Sequence, residues 1–378
     1  MIEPKYFIKK LKKNKINFIT GVPDSLFKNL CIEFEKNLDF TKHIVASNEG
    51  SSIGLAMGFH LATNSVPLVY LQNSGLGNTI NPLISLADEK VYRIPLILLI
   101  GWRGEIIQNV QIKDEPQHKK QGAITKDLLK VLGIRYKIID FNSNINSELI
   151  KIKRIAIKYS SPVALLVRKN TFSSREKNYF TKKKLSYKLN REGALKILFN
   201  NVPENVVKIS TTGMLSRELN ELNVKKKSEK NSFLTVGGMG HAISIASGIA
   251  VAKPNTKIMC LDGDGALLMH MGSLTTSSQL KNIVHVLFNN NSHDSVGGQK
   301  TSSHKAHYSK IAKNIGYKYV AVVSSEKMII KTLKYILKKK ISCFLEIKCN
   351  SGHRKNLSRP KVSPENNKKK FMNFLKKK

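Results

Sequence analysis

I-M-C-L-D-G-D-G-A-L-L-M-H, residues 258–270, is followed after a helix-length interval by I-V-H-V-L-F-N-N-N-S-H, residues 283–293. Each stretch is an apolar run that ends in polar residues, the glycine-flanked Asp264 in the first and the amides Asn289 and Asn290 in the second. Two parallel strands of this kind place Asp264 and Asn290 side by side at their C-terminal ends, where open α/β sheets bind ligands. One carboxylate with neutral oxygens suits a Mg²⁺ ion whose remaining ligands are phosphate oxygens. Gly263 and Gly265 let the backbone approach those phosphates, and a helix opening at Asp264-Gly265-Ala266 directs its N–H groups at them. No G-x-x-x-x-G-K-[ST] is present, which excludes the phosphate loop of an ATPase. Gly-Asp-Gly by itself is also an ordinary turn signal, so other parts of the chain must decide between a turn and a site.

Outward from this pair, apolar runs alternate with amphipathic stretches, the pattern of a parallel α/β sheet. Strand candidates are 18–20, 43–46, 67–72, 94–100, 136–139 and 162–167 in the first half, and 206–210, 233–236, 257–261, 283–288, 319–323 and 342–347 in the second. The polar stretch from Lys169 to Asn190 between them has no sustained periodicity and reads as a linker. The expected architecture is α/β: two doubly wound parallel-sheet domains, 1–170 and 191–378, joined by a linker at 171–190. Their element order is similar, although no sequence repeat is visible.

The chain has 378 residues, enough for two domains with real cores. No apolar run approaches the roughly 18 residues that span a membrane, and the N-terminal stretch lacks the apolar core of a signal peptide. A cytoplasmic protein with no membrane partner is therefore expected. Cys31, Cys260, Cys343 and Cys349 form no C-x-x-C pair and read as buried free thiols, without a zinc site or disulfides. The formal charge of +38 invites a nucleic-acid reading. Its lysines, however, are spread along the chain in runs such as 9–15, 225–227 and 376–378, with no interleaved aromatic pattern. Solvated helix faces explain them, no specific nucleic-acid partner is expected, and the charge would attract small anions.

Two further segments carry chemistry. In A-S-N-E-G-S-S, residues 46–52, Glu49 follows a strand and opens a Gly-, Ala- and Ser-rich helix. A first-turn glutamate is also what a helix dipole favours. In V-G-G-M-G-H-A, residues 236–242, Met239 sits between glycines just after a strand, where a core methionine would serve equally well.

Taken together with G-V-P-D-S at 21–25, Q-N-S-G-L-G-N at 72–78, D-E-P-Q-H at 114–118, S-T-T-G at 210–213, S-R-E-L at 216–219, H-D-S-V-G-G-Q at 293–299 and G-H-R-K-N-L-S-R-P at 352–360, these segments resemble the thiamine-diphosphate-dependent 2-oxo acid decarboxylases over nearly the whole chain. Within that family the chain looks most like the branch acting on phosphonopyruvate, next to the branch acting on sulfopyruvate. The resemblance implies a pyrimidine-binding first domain and a diphosphate-binding second domain. Asp264, Asn290 and the carbonyl of Ser292 would hold Mg²⁺, with Gly263, Gly265 and Ala266 against the diphosphate. Glu49 would hydrogen-bond the aminopyrimidine N1′, Met239 would bend the cofactor, and the carbonyl of Gly237 would accept from the 4′-amino group.

The implied reaction turns 3-phosphonopyruvate into phosphonoacetaldehyde and CO₂ in phosphonate biosynthesis. Sulfopyruvate or another 2-oxo acid is the alternative, and a basic nucleic-acid-binding protein a remote one. Asp24 and His118 are candidate proton carriers. Ser25 and His293 are candidate substrate contacts, and Arg354 and Arg359 have the side chain that binds phosphonate bidentately. The family places the pyrimidine domain of one subunit against the diphosphate domain of another, which implies a homodimer or higher. A single chain holding both domains leans toward phosphonopyruvate, since sulfopyruvate enzymes often divide them between subunits. Two positions depart from the family: Asn291 where glycine is expected, tolerable because asparagine enters left-handed backbone, and Met214 where a lysine is expected.

Overall fold

Strands such as Leu68–Gln72 and Ile97–Gly101 are apolar without alternation because both faces of a parallel sheet are covered. Leu68, Tyr70, Ile97 and Leu99 enter one core, while Val69, Leu71, Leu98 and Ile100 enter the core on the opposite face. Each fully buried Leu or Ile stabilises its layer by about 1.5–3 kcal/mol. The computed structural model describes residues 1–173, 186–302 and 306–378. It forms two compact units, Met1–Tyr179 and Phe180–Lys378.

The first unit runs α1 (Pro4–Lys13), β1 (Ile19–Gly21), α2 (Lys28–Asn37), β2 (His43–Val45), α3 (Glu49–Thr63), β3 (Leu68–Gln72), α4 (Leu76–Pro82) and β4 (Ile97–Gly101). A small hairpin of β5 (Ile106–Ile107) and β6 (Val110–Gln111) follows, then α5 (Pro116–Val131), β7 (Arg135–Ile139), α6 (Ile145–Tyr159) and β8 (Val163–Val167). Its six-stranded sheet has the order β2-β1-β3-β4-β8-β7, all parallel. The second unit runs α7 (Arg191–Asn201), β9 (Val207–Ser210), α8 (Met214–Lys226), β10 (Ser232–Leu234), α9 (Ala242–Ala252), β11 (Ile258–Gly263), α10 (Asp264–Met269), α11 (Leu274–Ser277) and β12 (Ile283–Asn289). After the hairpin of β13 (Ser292–His293) and β14 (Gln299–Lys300) come α12 (Tyr308–Ile315), β15 (Tyr319–Val323), α13 (Glu326–Ile336), β16 (Cys343–Lys348) and α14 (Pro364–Leu375).

The second sheet is ordered β10-β9-β11-β12-β16-β15. Each strand label is that of the first sheet raised by eight, hairpin included, so the two units share one topology. All of the strand candidates read from the sequence lie in these two sheets, their ends within three residues of the expected positions. Each unit has its switch point at the equivalent place, between β1 and β3 and between β9 and β11, and G-V-P-D-S, S-T-T-G and Gly-Asp-Gly all leave strands there.

Both ends of the expected linker, 171–190, make contacts with the rest of the chain. Thr171 accepts from Ile2 N and Phe172 packs edge-on against Phe7, which ties this end to the first unit. At the other end Asn350 Oδ1 accepts from the backbone of Ser186 and Tyr187, which ties it to the second. The rest of that stretch, 174–185, lies outside the described residues. Among the described residues no helix is long and apolar enough to cross a membrane.

α3 and α9 occupy equivalent positions and are apolar nearly all round. Gly54, Gly58 and Gly248 have open space where a Cβ would stand, and Leu61 and Val251 are 65% and 66% exposed. A helix that is apolar on its outward face calls for something to cover it.

Candidate active site

In the first unit, Glu49 is the opening residue of α3, capped by Asn48, whose side chain accepts from Ser51 N. The Glu49 carboxylate is buried and accepts at 2.7 Å from Asn78 Nδ2. Gly75 lies beneath it, where a Cβ would stand only 2.6 Å from Glu49 Oε1. The two motifs S-N-E-G and Q-N-S-G-L-G-N are thus one structure, in which a glycine makes room for the acid and an amide aims it. Asn78 and Gly75 were not singled out from the sequence.

Asp24 is fully buried at the end of the loop after β1, its Oδ2 pressed on Gly101 and without a hydrogen-bond partner. Burial raises its pKa from 3.8 to about 6, against the opposing charge of Arg103. Arg103 donates to Ser25 Oγ at 2.8 Å and forks onto both oxygens of Asp114 at 2.7 and 2.5 Å. His118 is buried in the first turn of α5, and its Nδ1 has no partner. Burial and then the charge of Arg103 lower its pKa, which favours the neutral ring. The predicted Asp24, Ser25 and His118 therefore share one charged neighbour, Arg103, which the sequence did not reveal.

Since Asp24 takes up its proton more readily folded than unfolded, its charge costs stability as pH rises from 3.8 toward about 6, and the full cost remains above that. The shift corresponds to about 3 kcal/mol. Asp24→Asn should therefore leave the melting temperature unchanged near pH 4 and raise it progressively to pH 7, as measured by thermal denaturation. A stability gain independent of pH would rule out a buried carboxylate as its source.

In the second unit, Asp264 opens α10, buried, with its Oδ2 accepting from Thr301 Oγ1 at 2.6 Å. The adjacent β12 delivers Asn290, also buried. Ser292 N donates to Asn290 Oδ1 at 3.1 Å, and Ser292 Oγ is buried without a partner. Asn291, where glycine was expected, takes φ 53°, the left-handed conformation that asparagine tolerates. A carboxylate and an amide oxygen held dry at neighbouring strand ends form a hard-oxygen donor set.

Gly265 is required here, because a Cβ would stand 2.8 Å from the His293 ring. Burial lowers the His293 pKa to about 4, so this candidate substrate contact is a neutral ring packed on α10, not a cation. Gly237 and Met239 lie half-exposed in the loop after β10. Gly238 and Gly240 flank Met239 with φ 64° and 92°. Gly240 presses on Met269 and His270 of the Asp264 segment, so the methionine loop and the segment that opens with Asp264 are packed together.

The C-terminal arginines differ from expectation. Arg354 forks onto Glu192 at 2.7 Å and onto Glu221, which clamps the tail onto α7 and α8 and occupies the guanidinium proposed for substrate. Arg359 is exposed. Arg217, in S-R-E-L, is half-buried with no acidic partner among the described residues, and burial lowers its pKa. All four cysteines are buried and free. Cys260 lies with Asp262 and His285, donor atoms within 4.8 Å, but a thiol in the set does not suit an oxygen-seeking Mg²⁺ ion.

Comparison with known proteins agrees in both units. The thiamine pyrophosphate enzyme N-terminal TPP binding domain matches residues 4–128, and the C-terminal TPP binding domain matches 211–347. A phosphonopyruvate decarboxylase of Streptomyces viridochromogenes is 29% identical across 95% of this chain and 91% of its own. A sulfopyruvate decarboxylase of Methanosarcina acetivorans is 24% identical across 97% of this chain and 95% of its own. The sulfopyruvate decarboxylase subunit beta of Methanococcus maripaludis is 30% identical across 50% of this chain and 99% of its own.

Proposed function

The chain belongs to the thiamine pyrophosphate enzymes as a decarboxylase of 2-oxo acids, and from that premise we propose that its substrate is 3-phosphonopyruvate, converted to phosphonoacetaldehyde and CO₂ for phosphonate biosynthesis. The observation that carries the substrate choice is the higher identity, 29% against 24%, to a phosphonopyruvate than to a sulfopyruvate decarboxylase at comparable coverage. Possession of both domains in one chain does not discriminate, because the Methanosarcina relative also spans nearly all of this chain.

The cofactor, when bound, supplies the electron sink for the carbanion left as CO₂ departs. The residues present fit it: a buried carboxylate aimed by Asn78 and a buried oxygen set at Asp264 and Asn290. Asp264, Asn290 and the Ser292 carbonyl would hold Mg²⁺, and Gly263, Gly265 and Ala266 would face the diphosphate. Met239 and the Gly237 carbonyl would set the cofactor's bend and orient its amino group. Glu49 would hold a proton against N1′ of the pyrimidine, and Asp24, with its pKa near 6, is suited to carry a proton at neutral pH with His118 beside the same arginine. The outward apolar faces of α3 and α9 support at least a homodimer, and the +38 charge favours capture of a small anion.

Comparison of kcat/KM for phosphonopyruvate, sulfopyruvate and pyruvate tests the substrate. Phosphonopyruvate is expected to lead both by at least about tenfold, the 1.4 kcal/mol of a good charge-assisted contact. Preference for sulfopyruvate would keep the chemistry and overturn the substrate, with Met214 and Arg217 the first positions to examine.

A further inference from the structure

Asn290 can serve a cation only if its amide presents oxygen, not nitrogen, and something must decide which. The Asn290 Nδ2 donates at 2.7 Å to Asp294 Oδ2, and a carboxylate can only accept, so the nitrogen is obliged to face Asp294 and the oxygen to face away. Asp294 is itself locked. Arg191 donates to its Oδ2 at 2.5 Å and Gly352 N to its Oδ1 at 3.1 Å. Arg191 is in turn gripped through two bonds by Glu218, at 2.9 and 2.8 Å. Arg191, Glu218, Asp294 and Asn290 are each under 9% exposed.

We propose that Asp294 is a positioning residue that fixes the Asn290 amide with its oxygen toward the cation, and that Arg191 holds Asp294 in that role. Asp294 of H-D-S-V-G-G-Q thus meets Gly352 of G-H-R directly and Glu218 of S-R-E-L through Arg191. The proposal rests on the Mg²⁺ site proposed above.

Its test is a titration of the full chain with Mn²⁺ in the presence of thiamine diphosphate, free Mn²⁺ being read by its electron paramagnetic resonance signal. Asp294→Asn leaves Arg191 with Glu218 as a balanced pair, so the fold is expected to persist. An asparagine at 294 can donate as well as accept, so the Asn290 amide loses the carboxylate that demands its nitrogen and is held only by the Ser292 N–H on its oxygen, at 3.1 Å. Mn²⁺ affinity should fall about 10–100-fold, the range for loss of a group that orients a metal ligand. The double variant Asn290→Asp with Asp294→Asn should recover to within about tenfold of wild type, because a carboxylate at 290 presents oxygen whichever way it turns. Wild-type affinity in Asp294→Asn, or no recovery in the double variant, would overturn the proposal, and a merely structural Asp294 would not be rescued by a change at 290. Asp264→Asn separates the two levels. If it binds Mn²⁺ like wild type, the cation site itself is misplaced, whereas loss there with full binding in Asp294→Asn defeats only the positioning role.

Discussion

Glu49→Gln is expected to bind thiamine diphosphate nearly as well as the parent and to lose about 10²–10⁴-fold in kcat, the range for loss of a positioned acid–base group. The substitution is nearly isosteric. A glutamine oxygen can still accept from Asn78 Nδ2, so the local packing against Gly75 should survive. What disappears is the negative charge, and with it the ability to hold a proton against the pyrimidine. The carboxylate is buried between a helix start and a glycine backbone, so no solvent group can substitute for it. Steady-state kinetics with a parallel cofactor titration separates the two effects. Full turnover in the variant would remove Glu49 from the mechanism, and lost cofactor affinity with unchanged kcat would make it a binding residue only.

The second large effect is expected at Asp264. Asp264→Asn should weaken Mg²⁺-dependent cofactor binding by at least about 100-fold, more than loss of a residue that only orients a ligand. The fold should hold, because the amide oxygen can accept from Thr301 Oγ1 as the carboxylate does. The difference is visible without catalysis. At a cofactor concentration of about 100 Kd the parent gains roughly 2.7 kcal/mol of stability, whereas a 100-fold weaker site at the same concentration gains about 0.4 kcal/mol. Thermal denaturation with and without thiamine diphosphate and Mg²⁺ therefore discriminates. An equal thermal shift in both proteins would place the diphosphate elsewhere.

The architecture was legible because it is repetitive. Runs such as Leu96–Ile100 and Val163–Val167 are buried on both faces, so they carry no polar interruption and mark strands directly. The hairpins of β5–β6 and β13–β14 were not foreseen, since each strand has only two residues, too few to show a period. The placement of Asp264 and Asn290 at neighbouring strand ends and of Glu49 at a helix start was legible because motif spacing locates them.

Their supports were not. Asn78 reaches Glu49 across 29 positions, and Arg191 reaches Asp294 across 103, separations at which only the folded sheet brings side chains together. Residue type alone also leaves out what else holds a side chain. Arg354 suits a phosphonate in chemistry, yet Glu192 and Glu221 also engage it, and burial lowers the His293 pKa to about 4.

The most direct test of the account follows phosphonopyruvate by ³¹P nuclear magnetic resonance with the purified chain, with and without thiamine diphosphate and Mg²⁺, while CO₂ is collected. The account predicts phosphonoacetaldehyde and CO₂ in equal amounts only when both additions are present. No conversion with both present, or conversion that needs neither, would contradict it.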